Sequence, residues 1–279
     1  MPTSERTCPL CRSSGVATIF RKREVDYWEC SECGFRFATP DVNPNLTRTL
    51  DGYEAAYLQY LDVDASDAAN FDSLSRWMEK LGPLAGKRLL DVGAGSGKWV
   101  RFLRSRGVDA RGIDPSRAFY DRFLAGDASF ACATLDQLQA ADAGAFDVIT
   151  AFDVIEHVAN PCEFLCGISA LLAPGGVFFA STPDVDSLTA RAFGRRWHFY
   201  YAYHLSYLGP HTIQRAASPC GLRVVDVHHR GRRRSVAYMI RYAAELIFGL
   251  GAPGWARWFD GWYLPVNLFD TMYVVFRRD

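Results

Sequence analysis

Three glycines stand close together in the stretch LLDVGAGSGKW, residues 89–99, directly behind a short apolar run. Because glycine has no Cβ, such a turn lets the backbone come close to a bound ligand. A dinucleotide fingerprint of the form G-x-G-x-x-G/A fails here, since its closing position is Lys98. A P-loop also fails, because its first glycine would fall on Val92 and its last position on Trp99. The turn therefore matches neither pyrophosphate-binding pattern.

The residues around the turn predict a strand before it and a helix after it. Residues 88–92 form a branched apolar run typical of a buried parallel strand, and residues 98–106 continue as a helix to Gly107. A second run, residues 110–114, ends in Asp114. A carboxylate at the tip of the second strand is where a Rossmann-type crevice binds a ribose diol. A ligand with one ribose and no phosphate fits best, and S-adenosylmethionine is such a ligand.

Strands alternate with helices along the rest of the chain, which predicts a parallel sheet with helices on both faces. The expected strands are residues 88–92, 109–114, 129–133, 146–151, 176–182, 222–228 and 271–277. Five segments between about Leu89 and Val225 resemble a class I S-adenosylmethionine-dependent methyltransferase. They are LLDVGAGSG, GIDPS, FDVITAFDVIEHVANP, LLAPGGVFFASTP and HLSYLGPHTIQRAASPCGLRVV. The resemblance implies a Rossmann-like seven-stranded sheet that is mostly parallel and has an antiparallel last strand.

The same resemblance implies which residues hold the cofactor. Gly93, Gly95 and Gly97 are expected to approach its methionine and ribose portions, while Asp91 orients the turn and Asp114 takes the ribose hydroxyls. The remaining expected contacts are Phe152 beside the cofactor, Thr134 and Leu135 near the adenine, and Tyr57 in a helical segment that covers the site. Half-buried packing is the alternative interpretation of Tyr57.

Eight cysteines divide into two groups. Four of them form CPLC and CSEC, namely Cys8, Cys11, Cys30 and Cys33, with eighteen residues between the pairs, which fits a zinc ribbon. Four thiolates make a closed tetrahedral site, so the expected Zn²⁺ is structural. The other four, Cys132, Cys162, Cys166 and Cys220, are expected to be buried small hydrophobes.

Composition narrows the function classes. The chain has 279 residues, 49% hydrophobic content and a formal net charge of zero, so it supports a full core and offers no general attraction to nucleic acid. The amino terminus carries no apolar leader, and the longest apolar segment, residues 236–250, is too short to span a bilayer and contains Arg241 and Glu245. These features predict a cytoplasmic location.

The expected organisation is a zinc ribbon at residues 1–40, a linker with cofactor-covering helices at 41–86, and the methyltransferase domain at 87–279. Two insertions interrupt that domain. Residues 183–209, with Trp197, Tyr200 and His204 among many aromatic side chains, are expected to form an acceptor pocket, or alternatively a packing layer. Residues 230–268 are expected to form a lid, and their tryptophans also allow contact with a membrane surface or a lipid-linked substrate.

The stretch DVIEHV, residues 153–158, follows the fourth expected strand. Asp153, Glu156 and His157 resemble the E-x-x-E-H pattern of ubiquinone-pathway O-methyltransferases, which implies a divalent ion such as Mg²⁺. Without a metal, His157 is the natural general base, because an imidazole titrates near neutral pH, and His204 is the competing base. Capping of the next helix is the structural alternative.

Together these features predict methyl transfer from S-adenosylmethionine to a small-molecule acceptor: a sugar, a nucleotide-sugar, a quinone-like compound or a natural product with a hydroxyl or carbon acceptor. An RNA base methyltransferase and a catalytically inactive zinc-ribbon adaptor remain as alternatives.

Overall fold

The computed structural model describes residues 6–22, 25–39, 67–138, 142–201, 203–237, 239–240, 243–244, 253–259 and 261–279. A seven-stranded sheet forms its centre, with the strand order β10-β13-β8-β7-β4-β5-β6. Its strands are β4 (Arg88–Val92), β5 (Asp109–Asp114), β6 (Phe130–Cys132), β7 (Phe146–Phe152), β8 (Leu172–Pro183), β10 (Leu222–His229) and β13 (Thr271–Arg278). β4 to β8 pair in parallel, whereas β13 is antiparallel to both of its neighbours. The predicted fold class is confirmed.

Neighbouring residues on the inner strands fill two separate cores. Leu90 and Phe178 belong to a cluster on one face of the sheet, while Leu89 and Phe179 belong to a cluster on the other. Successive side chains of a strand point to opposite faces, so a strand covered on both sides must be apolar throughout. This requirement is why the strands are visible in the sequence as unbroken apolar runs.

Helices cover the sheet and connect its parallel strands. They are α1 (Asp67–Met78), α2 (Lys98–Arg104), α3 (Pro161–Leu171), α4 (Leu188–Phe193) and α5 (Pro210–Ala217), with a short helical turn at Arg117–Phe119. α3 shows why these segments are helical: Pro161 occupies its first position, and the Asn160 side chain accepts a hydrogen bond from the Glu163 backbone N–H. Its residues Leu165 and Ile168 then lie one turn apart and are fully buried.

The amino-terminal ribbon shares a sheet with the rest of the molecule. Its strands β1 (Val16–Lys22), β2 (Val25–Cys30) and β3 (Arg36–Ala38) are antiparallel, and β3 also pairs with β9 (Ser206–Tyr207) from the first insertion. Phe35 and Phe37 are buried in the same cluster as the central sheet. The ribbon is thus joined to the first insertion by strand pairing, because β3 is paired with a segment some 170 residues further along.

The second insertion contributes a two-stranded sheet. β11 (Arg232–Ser235) pairs with β12 (Tyr263–Val266), and a helical turn at Gly254–Phe259 precedes β12. No helix within the described part of the chain is both long and apolar enough to cross a membrane. Most of residues 236–250, the longest apolar run, lies outside the described residues.

The second cysteine group differs from expectation. Cys166 and Cys220 form a disulfide, and Cys162 lies beside it with its Sγ 3.9 Å from that of Cys220. These three residues are not isolated small hydrophobes, because α3 and the turn Ser218–Cys220 bring them together. Cys132 alone of that group stays apart from the others, half-buried at the end of β6.

Candidate active site

The glycine turn lies between β4 and α2, as predicted. Gly93, Gly95 and Gly97 all have positive φ, at 76°, 53° and 73°. A Cβ at Gly93 or Gly97 would collide with neighbouring side chains, of Val154 and Leu124 respectively, whereas a Cβ at Gly95 would meet nothing within 4 Å. Two glycines thus let the turn pack, and the third leaves an open space beside the backbone.

Asp114 ends β5 and is joined to this turn. Its Oδ2 accepts a hydrogen bond of 2.7 Å from the Gly95 N–H, and its Oδ1 accepts one of 2.9 Å from the Ser116 N–H. The side chain is buried, at 6% exposure. A buried carboxylate is stable only when it is hydrogen-bonded, and these two backbone donors fix its position at the rim of the open space.

Two aromatic side chains and a second carboxyl group complete this side of the site. Phe152, at the end of β7, contacts the Trp99 ring edge-on, with the ring centroids 6.0 Å apart. The Trp99 Nε1–H is buried and has no hydrogen-bond partner among the described residues. Asp91 accepts a 2.6 Å hydrogen bond from Thr150, and burial, with the nearby charge of Asp114, raises its pKa to about 7. The open space beside Gly95, next to the Asp114 carboxylate, fits a polar ligand.

Thr134 and Leu135, the residues expected near the adenine, lie at the start of a helical turn after β6. Thr134 precedes the helical turn Leu135–Gln137, and its backbone N–H donates to the Gln137 side chain. The Leu135 side chain lies against α3 at Gly167. Tyr57 lies outside the described residues.

Asp153 follows β7 and is not grouped with Glu156 and His157. It has a positive φ of 58°, and its carboxylate forms a bidentate ion pair with Arg232 of β11, at 2.7 and 3.0 Å. The Ser181 hydroxyl donates a third hydrogen bond of 2.7 Å. The expected metal set of Asp153, Glu156 and His157 is therefore wrong, because the left-handed backbone at Asp153 turns its carboxylate toward Arg232.

His204 takes the place of Asp153 in that set. One donor atom from each of Glu156, His157 and His204 lies within 4.8 Å of the other two. His157 Nδ1 is 2.9 Å from the Tyr203 carbonyl oxygen, and His204 Nδ1 is 3.0 Å from that of Phe199. A carbonyl oxygen only accepts, so each Nδ1 carries the proton and each Nε2 presents its lone pair.

The charges of this cluster depend on burial. Burial and the charge of Asp153 raise the pKa of Glu156 to about 8, although the Thr182 hydroxyl donates to it at 2.9 Å. Burial lowers the pKa of His157, and it lowers the pKa of His204 further, aided by His157 itself. At neutral pH the cluster therefore holds two neutral imidazoles and a carboxyl group that keeps its proton unless a cation arrives.

The four ribbon thiols are also brought together. Cys8 and Cys33 have their Sγ atoms 3.6 Å apart, Cys11 and Cys30 have theirs 3.5 Å apart, and all four lie within 4.8 Å of one another. Zinc–sulfur bonds of about 2.3 Å in a tetrahedron place sulfurs about 3.8 Å apart, so the spacing fits a zinc ion.

The aromatic side chains of residues 183–209 fall into a buried group and a partly buried group. Trp197, Tyr200 and Tyr207 are buried against Val25 and Tyr27 of the ribbon, so they form a packing layer. His198, Phe199, Tyr201 and Tyr203 are only partly buried. The packing alternative holds for the first group.

Sequence analysis missed Arg232, Ser181 and Thr182. Arg232 lies in a run of arginines that resembles an exposed loop, and only its pairing with β12 turns its side chain inward. Another pair was missed as well: the buried Asp184 lies 2.7 Å from His229 Nε2. The position of Ser181 and Thr182 at the carboxyl end of β8 was a usable signal, because ligands bind at that edge of a parallel sheet.

Known proteins match the part of the chain that carries this site. The family model for a methyltransferase domain matches residues 66–227, which include the glycine turn, Asp114 and the Glu156 cluster. The ubiquinone biosynthesis O-methyltransferase of Ralstonia nicotianae is 36% identical over 112 residues, which cover 38% of this chain and 47% of that protein. The enzyme of the same name from Thiobacillus denitrificans is 34% identical over 148 residues, covering 43% of this chain and 64% of the relative. The matched part thus spans about half the length of these relatives.

A solved structure shares the fold. An S-adenosylmethionine-dependent methyltransferase from Mesorhizobium loti superposes with a TM-score of 0.50 and 19% identity, covering 75% of this chain and all of that one. The ribbon and the second insertion lie outside the residues that the family model matches.

Proposed function

The chain belongs to the methyltransferase-domain family, and we propose that it moves the methyl group of S-adenosylmethionine to a hydroxyl group of a small molecule. The observation that carries this proposal is the open space beside Gly95, bordered by the Asp114 carboxylate. The hydroxyl acceptor is proposed because the relatives named above are O-methyltransferases. A net charge of zero disfavours the RNA alternative.

In this proposal Asp114 binds the ribose hydroxyls, the backbone at Gly95 lies along the ligand, and Phe152 packs beside it. When bound, S-adenosylmethionine supplies a sulfonium-activated methyl group for an in-line displacement. The protein then has to align the acceptor oxygen, exclude water and remove a proton.

His157 is the proposed general base. Its Nε2 accepts the hydroxyl proton while Nδ1–H remains bonded to the Tyr203 carbonyl, which fixes the ring and its tautomer. The lowered pKa keeps the imidazole neutral and able to accept a proton at pH 7. His204 is the weaker candidate, because its side chain is only 2% exposed and cannot reach a substrate directly.

A divalent ion is the second candidate role for the same cluster. Two imidazoles and one carboxyl group are a common donor set, and backbone carbonyls that hold the Nδ1–H of ligand histidines are usual at metal sites. Glu156, His157 and His204 would hold the ion, which would acidify an acceptor hydroxyl. Activity that a chelator abolishes and a divalent ion such as Mg²⁺ restores, with the zinc content of the ribbon checked by elemental analysis, would favour this role, while full activity in chelator would exclude it.

We also propose that Cys8, Cys11, Cys30 and Cys33 bind one structural zinc ion. Elemental analysis should find one zinc per chain in the wild type and none in Cys30→Ser. Wild-type protein purified without chelator and free of zinc would contradict this assignment.

An anionic membrane surface is the proposed partner of one exposed face. Most of the exposed large apolar side chains lie in two segments that meet at a hydrogen bond from Thr189 Oγ1 to the Leu268 carbonyl. These side chains are Leu188, Phe193, Trp255, Trp258, Trp262, Leu264, Leu268 and Phe269, and Arg191, Arg195, Arg196 and Arg257 are exposed beside them. Exposed tryptophans with neighbouring arginines are typical of membrane-surface contacts.

The membrane proposal can be tested by co-sedimentation with phosphatidylglycerol vesicles. We expect wild-type protein to sediment and the double variant Trp258→Ala, Trp262→Ala to remain in solution, with Ile19→Ala on the ribbon as the matched control. Equal sedimentation of all three proteins, or none with any vesicle, would contradict it.

The transfer reaction itself can be tested with methyl-labelled S-adenosylmethionine. Wild-type protein and Asp114→Ala are incubated with a small-molecule extract and, separately, with total RNA. We expect the label in a methyl ether from the extract, and only with wild-type protein. Label in RNA, or in neither sample, would overturn the proposal.

A further inference from the structure

Three sulfur atoms outside the ribbon lie together beside α3. Cys162 and Cys166 are one helical turn apart on α3, and Cys220 ends the turn Ser218–Cys220 that precedes β10. Cys166 and Cys220 are bonded, and the Cys162 Sγ lies 3.9 Å from the Cys220 Sγ. Since a disulfide sulfur carries no proton, the Cys162 thiol is the donor in this contact.

This cluster differs from the ribbon thiols in bonding and in access. Cys8, Cys30 and Cys33 are buried, and none of the four ribbon thiols is bonded to another. In the second cluster Cys166 is exposed, while Cys162 and Cys220 are half-buried. An exposed disulfide with a third thiol in contact is open to reagents from solution, which a closed tetrahedral metal site is not.

We propose that Cys162, Cys166 and Cys220 form a thiol–disulfide exchange site whose external substrates are dithiols, either small molecules or the dithiol of a redox protein. Cys220 is the shared sulfur. The Cys162 thiolate attacks the Cys220 Sγ, the bond from Cys220 to Cys166 breaks, and its electron pair remains on the Cys166 sulfur. Cys166 then takes up the proton that Cys162 released, so the exchange involves no net oxidation.

Reduction by the external dithiol follows the same chemistry. Its first thiolate attacks Cys166, and Cys220 leaves as a thiolate. The second thiolate of the reagent then displaces Cys166 from the mixed disulfide. The protein gains two thiols, and the reagent leaves as a disulfide, so two electrons and two protons pass from the reagent to the protein.

Exchange between the two partners of Cys220 has a geometric consequence. Cys166 lies four positions after Cys162, so the attachment point of Cys220 moves by about 6 Å along the helix axis. The tether joins α3, which begins soon after His157, to the start of β10. Reduction removes this tether, so the site links the redox state of the surroundings to the covalent connection between these two elements.

Thiol mapping of the full-length zinc-loaded protein tests the proposal. The protein is equilibrated in a mixture of oxidised and reduced glutathione, alkylated under denaturing conditions and analysed by peptide mass spectrometry. We expect two linked peptide pairs in the wild type, Cys166 with Cys220 and Cys162 with Cys220. Dithiothreitol should convert all three residues to alkylated thiols.

Single variants make the result decisive. Cys166→Ser should still lose two hydrogens and form the link between Cys162 and Cys220, whereas Cys162→Ser should retain only the link between Cys166 and Cys220. Cys132→Ser is the matched control and should behave as the wild type. The proposal is overturned if Cys220 pairs with Cys166 alone in the wild type. It is also overturned if Cys166→Ser leaves Cys162 and Cys220 unlinked or bound to glutathione.

Discussion

The cofactor side and the acceptor side of this site are built in different ways. The cofactor side consists of β4, the glycine turn, α2 and β5, which follow one another along the chain. Its key contacts are the hydrogen bonds that backbone N–H groups donate to the Asp114 carboxylate. The acceptor side joins Glu156 and His157 to His204 from the first insertion and brings Arg232 from the second. The first is therefore local and defined by backbone geometry, while the second depends on side chains from distant segments.

The electrostatics of the two sides differ as well. Two carboxyl groups three residues apart on the acceptor side have opposite pKa shifts. Burial raises the pKa of Glu156, and the desolvation of the half-buried Asp153 works in the same direction, but the charge and hydrogen bonds of Arg232 outweigh it at Asp153 and hold that pKa well below its usual range. Arg232 also acts to lower the pKa of Glu156, but too weakly to offset the burial of that carboxyl group, and its pKa rises to about 8. Changes on the acceptor side should accordingly alter turnover and leave cofactor affinity intact.

The largest effect is expected from His157→Ala. Removing the general base should lower kcat by about a hundredfold or more, while the dissociation constant for S-adenosylmethionine stays the same. His228→Ala is the matched control, because that imidazole is exposed and bonded to Asp226 on β10. Turnover that survives His157→Ala but collapses in His204→Ala would move the base to His204.

A smaller effect is expected from Cys30→Ser in the ribbon. β3 pairs with β9, and the Ala38 N–H donates to the Leu205 carbonyl beside His204, so a disordered ribbon should loosen the acceptor side. We expect kcat/KM for the acceptor to fall roughly tenfold, which is the usual size of loss when contacts that support a site are removed. The affinity for the cofactor should change little. Steady-state kinetics and calorimetry measure the two quantities. A loss of cofactor affinity equal to the loss in kcat/KM would contradict the division into two sides.

The smallest effect is expected from Asp153→Asn, which keeps a side chain that tolerates the left-handed backbone. The Asp153 side chain is 42% exposed, so losing its ion pair should lower the free energy of unfolding by only about 1 kcal/mol at pH 7. The pKa of Asp153 is lower in the folded protein than in the unfolded chain, where it is about 4, so the ionised carboxylate stabilises the fold above pH ~4. This stabilisation is lost as the pH falls. The difference in the free energy of unfolding between the wild type and Asp153→Asn should therefore shrink below pH ~4. Urea unfolding at pH 7 and at about pH 3.5 checks this. A difference that grows with acid would contradict the ion-pair assignment, and Asp121→Asn, in an exposed pair with Arg117, is the control.

The sequence predicted the strands and the glycine turn of the cofactor side well for a physical reason. Strands buried on both faces must be apolar throughout, and a turn with three positive φ angles requires glycine, so both leave local patterns. The acceptor side was predicted only in part. His157 and Glu156 were found from their spacing, but their grouping with Asp153 was wrong, because Asp153 pairs with Arg232, 79 residues away. The β3–β9 pairing and the link from Cys166 to Cys220 also join distant parts of the chain. The periodicity of apolar residues predicts local helices and strands, and it does not predict such long-range contacts.

Calorimetric titration of S-adenosylmethionine into wild-type protein and Asp114→Ala tests the central claim most directly. Removing two hydrogen bonds to the ribose should weaken binding by about 2–4 kcal/mol, or roughly 30- to 1000-fold. Asp109→Ala, exposed at the start of the same strand, should bind as the wild type does. Equal affinity in Asp114→Ala and the wild type, or no binding to the wild type at all, would contradict the assignment of this turn to the cofactor.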